Sequence, residues 1–313
     1  MQVTITRRVP VNTLEQLAST TARVADRAGP ATVGIGSGWG QGSGVVMRAG
    51  LVLTNAHNLR NEATVVTFSD GRATEGSVRG VDIDGDLAVL DVDTAGATPL
   101  EWSSTPVSLG TPVLALANPG GRGLRVTLGQ VSAVGQAFRG PRGRRVTGTI
   151  EHTAPLVKGS SGGPVVDVHG RLLGVNVNRL GEGFYLAIPA DDDLRSRIDA
   201  LSVGSSPTRR RLGVALAPSR VARRLRAAVG LAERDGLLVQ GLEEGGPAER
   251  SGMRIGDLVV AASDRPMTSV DDLHRALDAL GDGEALALSV VRGNDEVTVA
   301  VSFGASGDEA SPA

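Results

Sequence analysis

The segment Lys158-Gly159-Ser160-Ser161-Gly162-Gly163-Pro164 sets a serine hydroxyl among glycines, between two runs that read as strands. Glycines let the backbone approach a substrate closely and let successive N–H groups turn toward one point, which is what an oxyanion hole requires. Ser/Gly turns are common, so on this segment alone a plain turn is the commoner reading. A serine hydroxyl is a weak nucleophile until a base takes its proton, and the chain has only four histidines to supply one. His57 ends the run Leu51-Val52-Leu53-Thr54-Asn55-Ala56-His57, where a strand end can aim a side chain rigidly. His169 falls in the turn Asp167-Val168-His169-Gly170, and His274 lies among Asp271, Asp272 and Arg275 on a polar helix face, so both read as solvated. His152 is near Ser161 in sequence but has no distinguishing context and ranks second.

A third group must fix the imidazole tautomer and stabilise the imidazolium, which calls for a buried carboxylate. In Asp82-Ile83-Asp84-Gly85-Asp86-Leu87-Ala88-Val89-Leu90, Asp86 adjoins the apolar run directly, whereas Asp82 and Asp84 sit by a glycine turn. Each acid alone reads as an exposed loop carboxylate. The order His57, Asp86, Ser161 within one β-rich stretch is much harder to obtain by accident.

The elements that must carry these residues are short. From Ala31 to about Pro189 the sequence is a series of Val/Leu/Ile/Thr runs separated by glycine turns, the pattern of an all-β barrel or sandwich. Ahead of it, Thr13 to Arg27 has apolar positions at Leu14, Leu17, Val24 and Ala25, a weakly amphipathic helix that stops at Gly29-Pro30. A helical segment, Asp191 to Leu201, is followed by Ser202-Val203-Gly204-Ser205-Ser206-Pro207-Thr208, which has linker composition. Beyond it, strands alternate with helical segments at Ser219 to Val229 and Ser269 to Leu280.

Composition narrows the function. At 313 residues and 41% hydrophobic, two domains are expected. A net charge of −2 removes the positive field of nucleic-acid binders, and 2% aromatic residues leave little for stacking bases or sugars. The absence of cysteine rules out disulfides, thiolate zinc sites and a cysteine nucleophile. No run approaches a membrane span, and Met1 to Pro30 lacks the apolar stretch of a secretory signal, so a cytoplasmic protein is expected if Met1 is the natural start, and a periplasmic or otherwise extracytoplasmic one if an export segment was removed.

On these residues the chain resembles the HtrA/Deg family of serine proteases. The resemblance runs through Gly42-Ser43-Gly44-Val45-Val46, Leu53-Thr54-Asn55-Ala56-His57, Asp86-Leu87-Ala88-Val89-Leu90 and Gly159-Ser160-Ser161-Gly162-Gly163-Pro164, and continues through Gly174-Val175-Asn176 and Gly183 to Pro189. Its C-terminal part, Gly245-Gly246-Pro247-Ala248-Glu249-Arg250-Ser251-Gly252-Met253-Arg254-Ile255-Gly256-Asp257-Leu258-Val259, is similar to a PDZ core segment. The fold so implied is mainly β: a trypsin-like double β-barrel followed by an α+β PDZ domain. The implied boundaries are a helical extension over 1–30, a protease domain over 31–201, a linker over 202–208, a PDZ domain over 209–303 and a disordered tail over 304–313.

By the same resemblance, His57 is general base, Asp86 orients it, Ser161 attacks, and the N–H groups of Gly159 and Ser161 hold the oxyanion. Leu186 belongs to the specificity pocket, and Arg211-Leu212-Gly213-Val214 is the loop that receives a peptide C-terminus. The implied activity is ATP-independent cleavage of unfolded or misfolded proteins, regulated through the PDZ domain, by a homotrimer without metal or organic cofactor. The chain departs from the family at Ser160, Thr153, Val157-Lys158 and Arg211, where the family usually has Asn, Asp, Asn-Pro and an aromatic residue. With no acid evident at the pocket base, cleavage after small or medium aliphatic residues is expected. The loop Gln136 to Arg145, long and rich in arginine, reads as a solvated turn or a sensor loop.

Two rival readings remain. A PDZ-based peptide-binding or chaperone-like protein with a latent protease domain would keep the C-terminal features without turnover. An α/β-hydrolase esterase shares the Gly-x-Ser-x-Gly spacing of Gly159 to Gly163, but requires the order Ser, Asp, His and a strand-to-helix elbow.

Overall fold

The computed structural model of the chain describes residues 12–36, 41–181, 183–207, 209–281 and 283–303, with the backbone alone for 178–181. The expected tail over 304–313, the first eleven residues of the N-terminal extension and Thr208 of the expected linker lie outside the described residues. The chain divides into two compact units, Met1–Pro207 and Thr208–Ala313.

The first unit begins with helix α1, Thr13–Ala28, whose N-cap Asn12 accepts a hydrogen bond from the Leu14 N–H. It stops at Gly29, where a Cβ would lie 2.4 Å from the Ala25 carbonyl oxygen. Only its last turns are buried, through Val24 and Ala28, while Leu14 and Leu17 are exposed.

Strands β1 (Thr32–Ile35), β2 (Gly42–Arg48), β3 (Leu51–Thr54), β4 (Ala63–Thr67), β5 (Ala73–Asp82) and β6 (Leu87–Val92) close into a barrel in the order β1-β2-β3-β6-β5-β4. A second barrel follows, made of β7 (Pro112–Ala117), β8 (Arg125–Arg139), β9 (Arg145–His152), β10 (Pro164–Val166), β11 (Leu172–Gly181) and β12 (Phe184–Pro189), in the order β10-β11-β12-β9-β8-β7. All ladders in both are antiparallel. With so few aromatic residues the cores are aliphatic: Val33, Leu53, Leu90, Leu114, Leu116 and Leu172 have no exposed surface. Each such side chain contributes about 1.5–3 kcal/mol on burial. Helix α2, Asp192–Ser202, capped by Asp191, buries Leu194, Ile198 and Leu201 against the first barrel. Gly80 of β5 permits the approach, since a Cβ there would lie 2.4 Å from the Leu201 carbonyl oxygen.

The segment expected to be a long loop, Gln136 to Arg145, is strand at both ends and a turn only over 140–144. The β8 and β9 ladder continues through Gln136↔Thr149 to Arg139↔Arg145, leaving a short turn in which the Gly140 N–H donates to the Arg144 carbonyl. Irregular register across Val131 to Ala137 is the reason periodicity alone did not show that β8 continues to Arg139.

The second unit is a sheet of β13 (Val214–Ala217), β14 (Leu237–Leu242), β15 (Leu258–Ala262), β16 (Arg265–Pro266), β17 (Leu286–Arg292) and β18 (Asp295–Val301). Its order is β13-β14-β15-β17-β18, with β16 beside β15, so β13 is an edge strand. Helices α3 (Ser219–Ala228), α4 (Pro247–Arg250) and α5 (Val270–Asp278) complete it. Leu273 and Leu277 of α5 join Leu212, Val239, Met253, Met267 and Val290 in one core. A capping box starts α5: Ser269 accepts from the Asp272 N–H, and the Asp272 carboxylate accepts from the Ser269 N–H at 2.8 Å.

Candidate active site

His57 lies in the single 3₁₀ turn Ala56–Asn58 that follows β3. Its Nδ1 is 2.7 Å from Oδ2 of Asp86, and its backbone N–H donates to Oδ1 of the same carboxylate at 3.0 Å. Asp86 is 2% exposed and adopts φ of 54°, in the left-handed region. A non-glycine residue held there costs on the order of 1–2 kcal/mol, which the contacts around it must offset. One of these is the Asn55 side chain, which donates to the Asp86 carbonyl at 2.8 Å. The carboxylate is thereby locked on one edge of the imidazole while the His57 side chain as a whole stays 38% exposed to solvent.

Ser161 stands on the turn between β9 and β10, and this turn is pinned to the first barrel. Its carbonyl accepts from the Ser43 N–H at 2.8 Å and from the Asn58 side chain at 2.9 Å. The Ser43 hydroxyl donates to the Gly159 carbonyl at 2.8 Å and accepts from the Asn118 N–H at 3.0 Å. Gly162, with φ of 87°, is required by this closeness: a Cβ would lie 2.1 Å from the Ser43 carbonyl oxygen. Gly159 also has positive φ, 90°, and its carbonyl is held by Ser43, while the N–H groups of Gly159 and Ser161 have no acceptor among the described residues.

The hydroxyl of Ser161 donates to the Val177 carbonyl at 3.0 Å, not to His57. His57, Asp86 and Ser161 nevertheless line one cleft of about 490 Å³ with Gly159, and its remaining walls include Phe138, Leu156, Val157, Val177 and Tyr185. Among the described residues, Lys158 and Arg139 are the cations on it and Asp86 is its one carboxylate. A second cavity of about 480 Å³ lies on the other side of His57, bounded by Leu59, Val78, Val81 and Ile83, and it shares Pro141 and His57 with the first.

Leu186 does not line the cleft. It is fully buried in the core, and Tyr185 takes the expected place. Successive residues of a strand face opposite ways, and β12 presents Tyr185 toward the cleft and therefore Leu186 away from it. His169 is exposed, as expected of a turn histidine. His152, which the sequence left without context, is wholly buried: its Nε2 is 2.9 Å from Asn176 Oδ1 and its ring stacks on Tyr185 with centroids 5.9 Å apart. The signal that could have revealed it is its place at the end of an apolar-alternating strand, where a solvated histidine is unexpected.

In the second unit, Leu212 is buried in the core, Gly213 has φ of 73°, and Arg211 lies 3.8 Å from Glu243, both half-exposed. The Leu212 carbonyl accepts from the Ala248 N–H and the Gly213 carbonyl from the Glu243 N–H. The N–H groups of Leu212 and Gly213 have no acceptor among the described residues, at the entrance to the open edge of β13.

Residues 42–175 match the family described as "Trypsin-like peptidase domain", and residues 211–303 that described as "PDZ domain". The chain is 34% identical over 278 residues to the putative serine protease HhoA of Synechocystis sp., across 84% of this chain and 70% of that protein. It is 32% identical over 274 residues to the probable periplasmic serine endoprotease DegP-like of Brucella suis biovar 1, across 83% of this chain and 52% of that one. The chain thus spans about half the length of the DegP-like relatives it matches. Among solved structures, the HtrA-type protease AlgW with a decapeptide aligns with a TM-score of 0.66 at 26% identity, covering 90% of this chain and 97% of that one. The serine endoprotease from Yersinia pestis aligns with a TM-score of 0.64 at 25% identity, covering 94% and 98%.

Proposed function

The chain belongs to the HtrA and DegP-like family of trypsin-like serine endopeptidases with a PDZ domain, and from that premise we propose that it cleaves unfolded polypeptides, without ATP, through His57, Asp86 and Ser161. The observation that carries the reading is the 2.7 Å contact between His57 Nδ1 and Asp86 Oδ2 in the cleft that also holds Ser161.

In the reaction, Ser161 turns its hydroxyl from Val177 toward His57. The free Nε2 of His57 takes the proton as Oγ bonds to the scissile carbonyl carbon, and Asp86 holds the imidazolium that results. The carbonyl oxygen becomes an oxyanion that accepts from the N–H groups of Gly159 and Ser161, each worth about 3–4 kcal/mol of barrier. His57 then gives its proton to the leaving amine as the C–N bond breaks. A water repeats the sequence on the acyl-enzyme, releasing the new carboxylate and restoring Ser161.

Apolar walls at Phe138, Leu156, Val157, Val177 and Tyr185, with Lys158 and Arg139 as the nearby cations, favour aliphatic over basic side chains at the residue before the cut. The Arg211-Leu212-Gly213-Val214 loop would receive a peptide C-terminus on its open N–H groups, the peptide adding as a strand to the edge of β13. The solved complex of the similar HtrA-type protease AlgW with a decapeptide supports this reading. The assembly proposed is a homotrimer, to which Leu14 and Leu17 on α1 would offer apolar surface. The periplasmic naming of the DegP-like relatives favours an extracytoplasmic compartment over the cytoplasmic one.

The placement of the Ser161 hydroxyl on Val177 supports a resting state that peptide or substrate must activate. Unfolded casein, incubated with wild type and Ser161→Ala, each with and without a peptide ending in a hydrophobic residue, tests both points. Cleavage that is lost in the variant and raised by the peptide is the expected outcome. No cleavage by wild type in either condition would overturn the reading in favour of a peptide-binding protein.

A further inference from the structure

His152 takes no part in the proton transfers above, yet it is a wholly buried titratable group one contact away from the nucleophile turn. It sits at the end of β9, paired with Val131 of β8 on one side and Tyr185 of β12 on the other. Its hydrogen-bond partner, Asn176 of β11, is itself without exposed surface. The Asn176 side-chain amide donates to the Gly163 carbonyl at 3.0 Å, and its backbone N–H donates to the same oxygen at 2.9 Å. Its carbonyl accepts from the Gly162 N–H at 2.8 Å. Asn176 therefore grips both glycines that follow Ser161, and the next residue along, Val177, carries the carbonyl on which the Ser161 hydroxyl rests.

The direction of this chain of bonds fixes the histidine tautomer. Because the Asn176 amide nitrogen is committed to Gly163, its Oδ1 faces His152 as an acceptor, and the proton must be on Nε2. Nδ1 is then a bare lone pair, buried and without a partner among the described residues. The same ring stacks on Tyr185, which lines the cleft beside Asn176. One side chain thus steadies both the register of the nucleophile turn and a wall of the substrate cleft.

We propose that neutral His152 is a positioning residue for catalysis, holding Asn176, and through it Gly162 and Gly163, so that Ser161 stands at the right distance from His57 and the oxyanion donors. The inference rests on the serine-protease reading above. Misplacement of a reacting group by about 1 Å costs on the order of a hundredfold in rate, so a residue without substrate contact can still govern turnover.

Protonation would disable the device. A proton on Nδ1 would place an unpaired N–H and a charge in the barrel interior. Around the ring, β12 presents Tyr185, β11 the neutral Asn176 and β8 the neutral Val131; the charge that acts on it is Glu151 on its own strand, whose carboxylate accepts from Ser132. Burial lowers the His152 pKa below 6.5, with the Asn176 bond and Glu151 opposing it less strongly. The folded protein prefers the neutral ring, so this contribution to stability is fully present above pH 6.5 and is lost as pH falls toward the lowered value.

The test compares the full-length wild type, Ser161→Ala, His152→Gln and His152→Leu on a valine-P1 peptide between pH 5 and 8, with folding checked by circular dichroism. Gln keeps a donor for Asn176 and cannot titrate; Leu keeps apolar bulk and has no donor. At pH 7.5, His152→Leu should lose about tenfold or more in kcat with KM changed less than about threefold, while His152→Gln stays within about threefold of wild type. At acid pH the wild type should lose kcat with one proton more than His152→Gln does. If His152→Leu does not fold, the acid limb of His152→Gln decides. Equal kcat in all three folded His152 forms, equal loss in Gln and Leu, or coincident acid limbs for wild type and Gln would overturn the proposal. Absence of any difference between wild type and Ser161→Ala would instead overturn the protease reading on which it rests.

Discussion

The hydroxyl of Ser161 donates to the carbonyl oxygen of Val177 at 3.0 Å, while the imidazole of His57 is held by Asp86 at 2.7 Å. In the proposed triad, base and carboxylate are thus set and the serine is turned aside. Turning the Ser161 hydroxyl from Val177 toward His57 is a change that substrate contacts can drive when they favour the turned state. Diisopropyl fluorophosphate, which reacts only with an activated serine, should therefore label Ser161 slowly in the free enzyme. Labelling should speed up about tenfold or more when a hydrophobic C-terminal peptide is added. Equal rates with and without peptide would mean that the rotation is not the regulated step.

Asp86 combines an electrostatic role with an unusual backbone, and substitutions separate the two. Asp86→Asn keeps a residue that tolerates φ of 54° but reverses the hydrogen bond to His57, favouring the wrong tautomer. It should remain folded and lose about ten-thousandfold in kcat. Asp86→Val should lose activity and also melt lower, because a β-branched side chain is poorly accommodated at positive φ. Thermal melts beside peptide kinetics distinguish the two losses.

Gly162 is the steric keystone of the turn. Gly162→Ala would put a methyl 2.1 Å from the Ser43 carbonyl oxygen at a φ of 87°, and backbone cannot yield as a side-chain tip could. The expected cost is on the order of 2–4 kcal/mol, together with loss of activity, since the Ser43–Ser161 bond must stretch. Gly50→Ala, at φ of 77° with open space around it, gives the control: strain without collision, and activity retained.

How far the sequence foretold this site depended on the kind of signal involved. His57 and Asp86 were legible because each adjoins an apolar strand that fixes where it must sit, and the structure brings them together. Leu186 was misplaced by one residue, because every position from Tyr185 to Ile188 is buried and a strand buried on both faces shows no alternation from which to read its inward side. His152 was passed over because its significance lies in contacts from β11 and β12, which lie about 24 and 33 residues later in the chain and carry no local motif. The turn between β8 and β9 was read as longer than it is, because bulges break the periodicity at the end of β8. In the second unit the glycine-rich segment before β15 marked the domain, yet the short helix α4 at Pro247–Arg250 was not foreseen, being too brief to show a period.

Cleft chemistry gives a specificity that can be measured directly. With apolar walls and two cations, a basic side chain would be desolvated beside like charge, whereas valine or alanine would lose nothing. In a P1-varied peptide library, kcat/KM for valine should exceed that for arginine by about tenfold or more. Preference for arginine would show that an acid outside the cleft described here reaches the pocket.

The PDZ unit should have its own acid limit, set at the start of α5. Burial alone would raise the Asp272 pKa, but donors from Thr268 and Ser269 outweigh it and hold the carboxylate at about 2 against an ordinary 3.8. Asp257, bound by Arg292 through two bonds of 2.8 Å, is likewise lowered against the effect of its burial. Both are acids with depressed folded values, so their stabilisation is complete above pH 3.8 and disappears as pH falls through the folded values. Solvent near Asp272 screens the effect, and losing its part of the capping box should cost about 1 kcal/mol. Met253 and Met267 lie in the PDZ core and Met47 packs on the protease core, so methionine methyl signals report the two units separately. In urea titrations, Asp272→Asn should lower the Met253 and Met267 midpoint at pH 6, leave that of Met47 unchanged, and lose its difference from wild type near pH 2. A difference that persists undiminished at pH 2 would show that the ionised carboxylate is not what stabilises the helix start.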